Sequence, residues 1–362
     1  MKHKLTLLPL LFVWLLLAFG AWFLPDGDIS ESERRPLEQK PEFSLSAVLK
    51  GDYMADFESY SLDQFPLRDT FRRIKSLFHY NVLNQTDNNG IYLADGVAAK
   101  QEYPLKEASL DHAVSRFEAI YEKYLKDSRV YAAVVPDKGQ YLAAQANALT
   151  LDYGQMTVLL KQKMPWAVHV DLLDSLTAED YYATDTHWRQ EGLFHAAQIL
   201  CTAMEAKLPV AEEYTLTKLE RPFYGVYYGQ AALPLEPDTM YLLESPMLDQ
   251  CRVYDYETGK TGSVYDLTKL DSRDLYDVYL SGAKSLLTIE NPNGASDREL
   301  IIFRDSFGSA IAPLLVQEYA RVTLVDIRYI QSSMLPMYLD FHGQDVLFLY
   351  STLVLNNSET IK

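Results

Sequence analysis

The chain has 362 residues, 48% of them hydrophobic and 12% aromatic, which suffices for one large well-packed domain or two small ones. Its formal net charge of −17 excludes a fold-wide basic surface, so nucleic acid is not the expected partner. Only two cysteines, Cys201 and Cys251, are present, with no zinc or iron–sulfur spacing, so neither a metal nor a cofactor is expected.

At the amino terminus Lys2, His3 and Lys4 precede an uncharged run over 5–24. That length suits a spanning helix of about 20 residues. Residues 1–27 therefore read as a transmembrane signal-anchor, although Ala18-Phe19-Gly20 could serve as a cleavage site. With the bases ahead of the span, the positive-inside rule places the chain after residue 28 outside the cell: a single-pass membrane protein with an extracellular domain. In such a setting Cys201 and Cys251 could pair; otherwise they read as structural rather than catalytic.

Residues 28–45, with Arg34, Arg35, Pro36 and Pro41, read as a linker, and the main domain spans 46–362. Apolar positions over 46–84 recur at helical spacing, with a break at Pro66. A short strand and Asp-Gly turn fall at 90–96. A helix over 107–127 precedes a strand at 130–135, and a further helical stretch precedes one at 167–172. Leu193, Ala196, Ala197, Leu200 and Met204 share one face of a helix over 189–206. Later strands lie at 286–289, 300–303, 322–325 and 346–349, with helices at 308–320 and 329–338. This alternation predicts a mainly parallel sheet covered on both faces. The stretch 209–282 is rich in Tyr, Pro and acidic residues, with weak periodicity, and reads as an insertion or lid.

Two segments carry groups suited to chemistry. Ser306 follows an apolar strand by three residues and precedes a helix. Sites form at the carboxyl ends of strands, and a helix amino terminus stabilises an oxyanion. Asp305 or Ser306 could instead simply cap that helix. Asp185 and His187 could supply the carboxylate and base that a nucleophilic serine needs, with Trp188 walling the site. They too could belong to a helix cap. A rival pair, Asp340 and His342, follows Ser306 and would give the order Ser, Asp, His.

Taken together, the ordered segments resemble the SGNH-hydrolase-like proteins of the alginate O-acetyltransferase type, and among them the bacterial DHHW proteins. The likeness is carried by Ser30-Glu31-Ser32-Glu33-Arg34-Arg35-Pro36-Leu37, Phe57-Glu58-Ser59-Tyr60, Asp63-Gln64-Phe65-Pro66-Leu67-Arg68 and Val135-Pro136-Asp137-Lys138. It continues in Thr184-Asp185-Thr186-His187-Trp188, Arg304-Asp305-Ser306-Phe307-Gly308 and Asp326-Ile327-Arg328-Tyr329. It runs from about 28 to 350 and is weakest across 209–282. Thr186 stands where the name-giving motif has its middle histidine, a reduced form that the alginate-type members share.

The resemblance implies an SGNH-hydrolase-like three-layer α/β/α fold with a mainly parallel sheet and circularly permuted motif order. It implies Ser306 as nucleophile, His187 as general base and Asp185 as its orienter. Tyr329, Arg328, Lys138 and Trp188 are candidates for substrate contact. The Ser306 N–H is the one assignable oxyanion donor, with Asn291 and Asn293 as loop possibilities. The implied activity is membrane-anchored O-acyl transfer, with acetyl as the expected group, to a cell-surface or exported polysaccharide. A membrane-bound O-acyltransferase partner would deliver the acetyl group. The same triad could serve an O-acetylesterase. A non-catalytic glycan-binding role is the third reading, given 26 tyrosines that include Tyr224, Tyr227 and Tyr228.

Overall fold

The structure, a computed structural model, describes residues 2–30 and 32–362, with side chains from Leu8 onward. The chain forms two units, Met1–Asn89 with Tyr228–Leu235, and Gly90–Tyr227 with Glu236–Lys362.

The first unit is helical. Its leading helix spans Lys2–Phe23 and contains Pro9. Among the described residues no helix is long and apolar enough to cross a membrane. This overturns the expected membrane helix, and with it the single-pass placement and extracellular domain. The patterned stretch 46–84 forms three helices, Leu45–Lys50, Asp52–Asp63 and Arg68–Asn81. Gly51, at φ 91°, makes the bend between the first two, a left-handed conformation that suits glycine. Glu33 and Arg35, in the expected linker, are tied down by charge. Glu33 bridges Arg35, Arg68 and Arg72 at 3.1, 2.6 and 3.0 Å, and Asp63 accepts a two-pronged bond from Arg35.

The second unit is built on an eight-stranded sheet. In chain order its strands are β1 (Arg129–Val135), β2 (Val168–Val170), β3 (Arg252–Asp255), β4 (Lys260–Gly262), β5 (Leu286–Glu290), β6 (Glu299–Arg304), β7 (Arg321–Val325) and β8 (Asp345–Ser351). They lie side by side as β4-β3-β5-β7-β6-β8-β1-β2. The block from β7 to β2 is parallel, whereas β5, β3 and β4 join by antiparallel pairing. The sheet is thus mixed, which corrects the mainly parallel expectation. The cause is the short link 291–298 between β5 and β6. A parallel return needs a crossover of about a dozen residues or more, so β5 has to run the other way.

Residues alternate between two cores. Leu300, Ile302, Leu347 and Leu349 face one, while Ile301, Phe303, Val346 and Phe348 face the other. Helices Phe194–Ala203 and Gly308–Leu315 pack in the first core, and Glu107–Tyr124 and Tyr153–Lys163 in the second. Expected helices are trimmed where polar links take over. The stretch 189–206 becomes a 3₁₀ turn at Gln190–Gly192 and then a helix, and 329–338 becomes a 3₁₀ turn at Ser332–Met337 that contains Pro336. The stretch 209–282 supplies β3 and β4, and its Leu242, Leu243, Val278 and Tyr279 are buried in the first core.

Candidate active site

Strand β6 ends at Arg304, whose side chain is fully buried. Its guanidinium donates to the Asp305 carbonyl at 3.3 Å and lies 4.0 Å from Asp326. Asp305 then turns the chain. Its carboxylate accepts the Phe307 N–H at 3.0 Å and the Ser351 N–H, from the end of β8, at 2.8 Å. Ser306 sits on this turn, ahead of the helix Gly308–Leu315. Gly308 permits the tight exit, because a Cβ there would lie 2.7 Å from Arg304 Cβ. The position of Ser306 is therefore set by two strand ends and one carboxylate, and it lies at the carboxyl pole of the parallel block.

The second segment is a tight loop closed by an antiparallel bridge between Tyr181 and Trp188. The Tyr182 N–H donates to the His187 carbonyl at 3.1 Å, and the Arg189 N–H to the Asp180 carbonyl at 2.7 Å. Asp238 grips the far side. It accepts the Ala183 and Thr184 N–H groups at 2.7 and 2.8 Å and the Thr184 hydroxyl at 2.6 Å. Asp185 and His187 lie within this loop.

Asp185, 1% exposed, accepts the Val226 N–H on Oδ1 at 2.7 Å. Its Oδ2 accepts the His187 N–H at 3.2 Å and faces His187 Nδ1 at 2.6 Å. His187 Nε2 stands 2.7 Å from Ser306 Oγ. A carboxylate can only accept, so Nδ1 carries the ring proton. Nε2 is then free to accept from the serine hydroxyl. The Tyr276 ring stacks on the imidazole at 3.9 Å and 9°, which fixes its plane. Gly225 allows the close pass beside Asp185, since a Cβ there would fall 2.2 Å from Asp185 Cβ.

The structure thus brings Ser306, His187 and Asp185 into one hydrogen-bonded line. The other residues nominated from sequence lie differently. Trp188 is fully buried; its indole N–H donates to the Phe307 carbonyl at 3.1 Å and so ties the loop to the serine turn. Lys138 is buried, with Nζ donating to the Tyr182 carbonyl at 2.9 Å. Burial pushes its pKa down to about 7. Arg328 forks onto Asp326 at 2.9 and 2.7 Å, and Tyr329 beside it is 54% exposed. Asn291 and Asn293 follow β5 at the opposite pole, where they bond to the Val316 carbonyl and Gln250. His342 lies 3.8 Å from Glu299, at the start of β6. A strand of that length puts it on the order of 20 Å from Ser306, so the rival pair is not at the serine.

Sequence reading missed Gly225, Val226, Asp238 and Tyr276. A lone glycine among the aromatic residues of 223–228 was the one available signal. Cys201 and Cys251 are free, buried thiols. Among the described residues no cluster of side chains could hold a metal ion.

A serine hydroxyl, an imidazole and a buried carboxylate in this order have the geometry of a Ser-His-Asp triad on an α/β sheet. The chain belongs to the DHHW family: the sequence model described as DHHW protein matches residues 143–325, a span that includes all three residues. The fold is similar to the crystal structure of a DHHW family protein from Eubacterium siraeum DSM 15702, with 22% identity and a TM-score of 0.60 over 76% of this chain and 95% of that one. It is also similar to Bacillus cereus PatB1, with 17% identity and a TM-score of 0.60 over 75% and 98%. PatB1 with a sulfonyl adduct gives 18% identity and a TM-score of 0.58 over 73% and 97%. No curated protein sequence matches the chain.

Proposed function

We propose that this protein is a serine-dependent O-acyltransferase that moves an acetyl group onto a hydroxyl of a polysaccharide. The observation that carries the reading is the chain of contacts from Ser306 Oγ to His187 Nε2 at 2.7 Å and from His187 Nδ1 to Asp185 at 2.6 Å. In this reading Ser306 Oγ attacks the acyl carbonyl while its proton passes to His187 Nε2. The developing oxyanion is held by the Ser306 N–H near the helix amino terminus. The leaving group departs with the proton from His187, which leaves acyl-Ser306. A sugar hydroxyl then attacks, giving its proton to His187, and the proton returns to Ser306 as the ester is released.

Asp185 stays ionised throughout and holds the ring. The acyl donor is a membrane-bound O-acyltransferase partner, and no cofactor takes part. The family resemblance supports acetyl as the group. The sulfonyl adduct seen on the similar PatB1 fold leads us to expect Ser306 to react with sulfonyl fluorides as well.

The test uses the protein with an activated acetyl ester. Acetate release and an added acetyl mass on the peptide containing Ser306 are expected, and both should vanish in Ser306→Ala and His187→Ala. A well-folded wild type that never acquires the acetyl mass would sink the reading and leave a binding role. Acceptor sugars added to the acylated enzyme separate transfer from hydrolysis: an acetylated sugar means transferase, acetate alone means esterase.

A further inference from the structure

Lysine is almost never fully buried unless it is paired. Lys138 is 2% exposed, and its ammonium is held by two backbone carbonyls. It follows Asp137 at the carboxyl end of β1. Its Nζ donates to the Tyr182 carbonyl at 2.9 Å and reaches the Ala183 carbonyl at 3.5 Å. It also lies 4.9 Å from the centre of the Tyr227 ring. Those carbonyls come just before Thr184 and Asp185. Tyr227 grips the same tip, donating its N–H to the Thr184 carbonyl at 3.0 Å and its hydroxyl to Thr186 at 3.1 Å. The ammonium and the aromatic ring therefore hold the Asp185 loop from behind.

Three carboxylates act on the ammonium: Asp185, Asp238 and Asp137. All three are engaged elsewhere. Asp185 accepts from His187 and Val226, Asp137 from the Gly139 N–H and the hydroxyls of Thr352 and Tyr153, and Asp238 from Ala183 and Thr184. Lys138 thus acts on its surroundings through its field and its two carbonyl contacts.

We propose that Lys138 is a positioning residue of the triad: its ammonium, on the Tyr182 and Ala183 carbonyls, fixes the loop that sets Asp185 against the His187 ring. It is not a substrate contact. The proposal rests on His187 as the general base. A loop held at its carbonyls keeps the carboxylate within hydrogen-bond reach of Nδ1 and so keeps the ring turned toward Ser306.

The experiment follows the His187 Nδ1 proton by NMR in the full chain, for wild type, Lys138→Met and Lys138→Arg, beside kcat and KM for an activated acetyl ester. Lys138→Met should loosen the bond to Asp185, moving that resonance upfield, and lower kcat by on the order of tenfold with KM unchanged. Lys138→Arg, which can still donate to the two carbonyls, should restore both. A lysine with a purely structural role would lower the unfolding midpoint and leave the resonance and kcat of the folded protein in place, and that result overturns the proposal. If Lys138→Met does not fold, Lys138→Gln, a shorter donor, replaces it with the same expected shift and the same overturning result. Loss of ester turnover in wild type would strike the catalytic reading only, because the resonance is read without turnover.

Discussion

Asp185 accepts from His187 Nδ1, the His187 amide and the Val226 amide, so both of its oxygens are committed before any substrate arrives. Asp185→Asn keeps the volume but puts an N–H donor where an acceptor is needed, which turns His187 to the wrong tautomer. Turnover of an acetyl ester should fall by roughly 10⁴-fold, with a far-ultraviolet spectrum like wild type. Gly225 gives a second residue-level test. A Cβ there would overlap Asp185 Cβ and Cα, at 2.2 and 2.3 Å, so the backbone must move. Gly225→Ala should lose about 1–3 kcal/mol in denaturant titration and at least about 10²-fold in turnover. His342→Ala, at the other end of β6, should leave turnover unchanged; a loss comparable to His187→Ala would mean that the wrong histidine has been named.

At the level of elements, the loop 181–188 and the turn at Ser306 are each bonded to neighbouring segments, and the buried lysine on the loop has a pH signature. The Lys138 pKa, about 7, lies below the ordinary lysine value of 10.5, chiefly because burial penalises the charge. Below about pH 7 both folded and unfolded chains carry the proton. Between there and 10.5 the unfolded chain carries a proton that the folded one lacks, so stability rises with pH. Wild type should gain about 1–2 kcal/mol over Lys138→Met between pH 7 and 9, read from denaturant midpoints. The buried Cys201 and Cys251 thiols, raised to about 12 and 11, are common to both proteins and cancel in the comparison. The strands β1, β6, β7 and β8 were legible as short apolar runs, and Ser306, Asp185 and His187 by their order along the chain. Lys138 was legible as a position but not in its role, because a lysine after a strand reads as surface charge. Asp238 and Tyr276 left no pattern; they reach the site through long-range packing alone. The direction of β5 was in principle readable from the short link 291–298, whereas strand–helix alternation pointed to a parallel sheet.

Within the larger unit, the sheet separates two kinds of polar cluster by pole. Asp305, Asp326, Asp137 and Ser306 gather at the carboxyl ends of the parallel strands. At the amino end, Asp345 begins β8 and is 3% exposed on its side chain. It bonds to Arg129 at 2.9 Å, to Arg298, and to the hydroxyl of Tyr319 at 3.0 Å. Arg298 also donates to the Met204 and Glu205 carbonyls at 2.8 and 2.9 Å, which ties the end of the helix Phe194–Ala203 to the sheet. Removing the Asp345 charge leaves two arginines facing each other across a buried hydroxyl. Breaking a fully buried pair costs about 3–5 kcal/mol, and the partial exposure of both arginines lowers that to roughly 2–3. Asp345→Asn should therefore lower the unfolding free energy by that amount. Because the serine lies at the other pole, kcat and KM for an acetyl ester should stay within about twofold at temperatures where the variant is folded. A change in turnover without a change in stability would mean that the two poles communicate through the parallel strands, and the sheet would then be more than a rigid support for the triad.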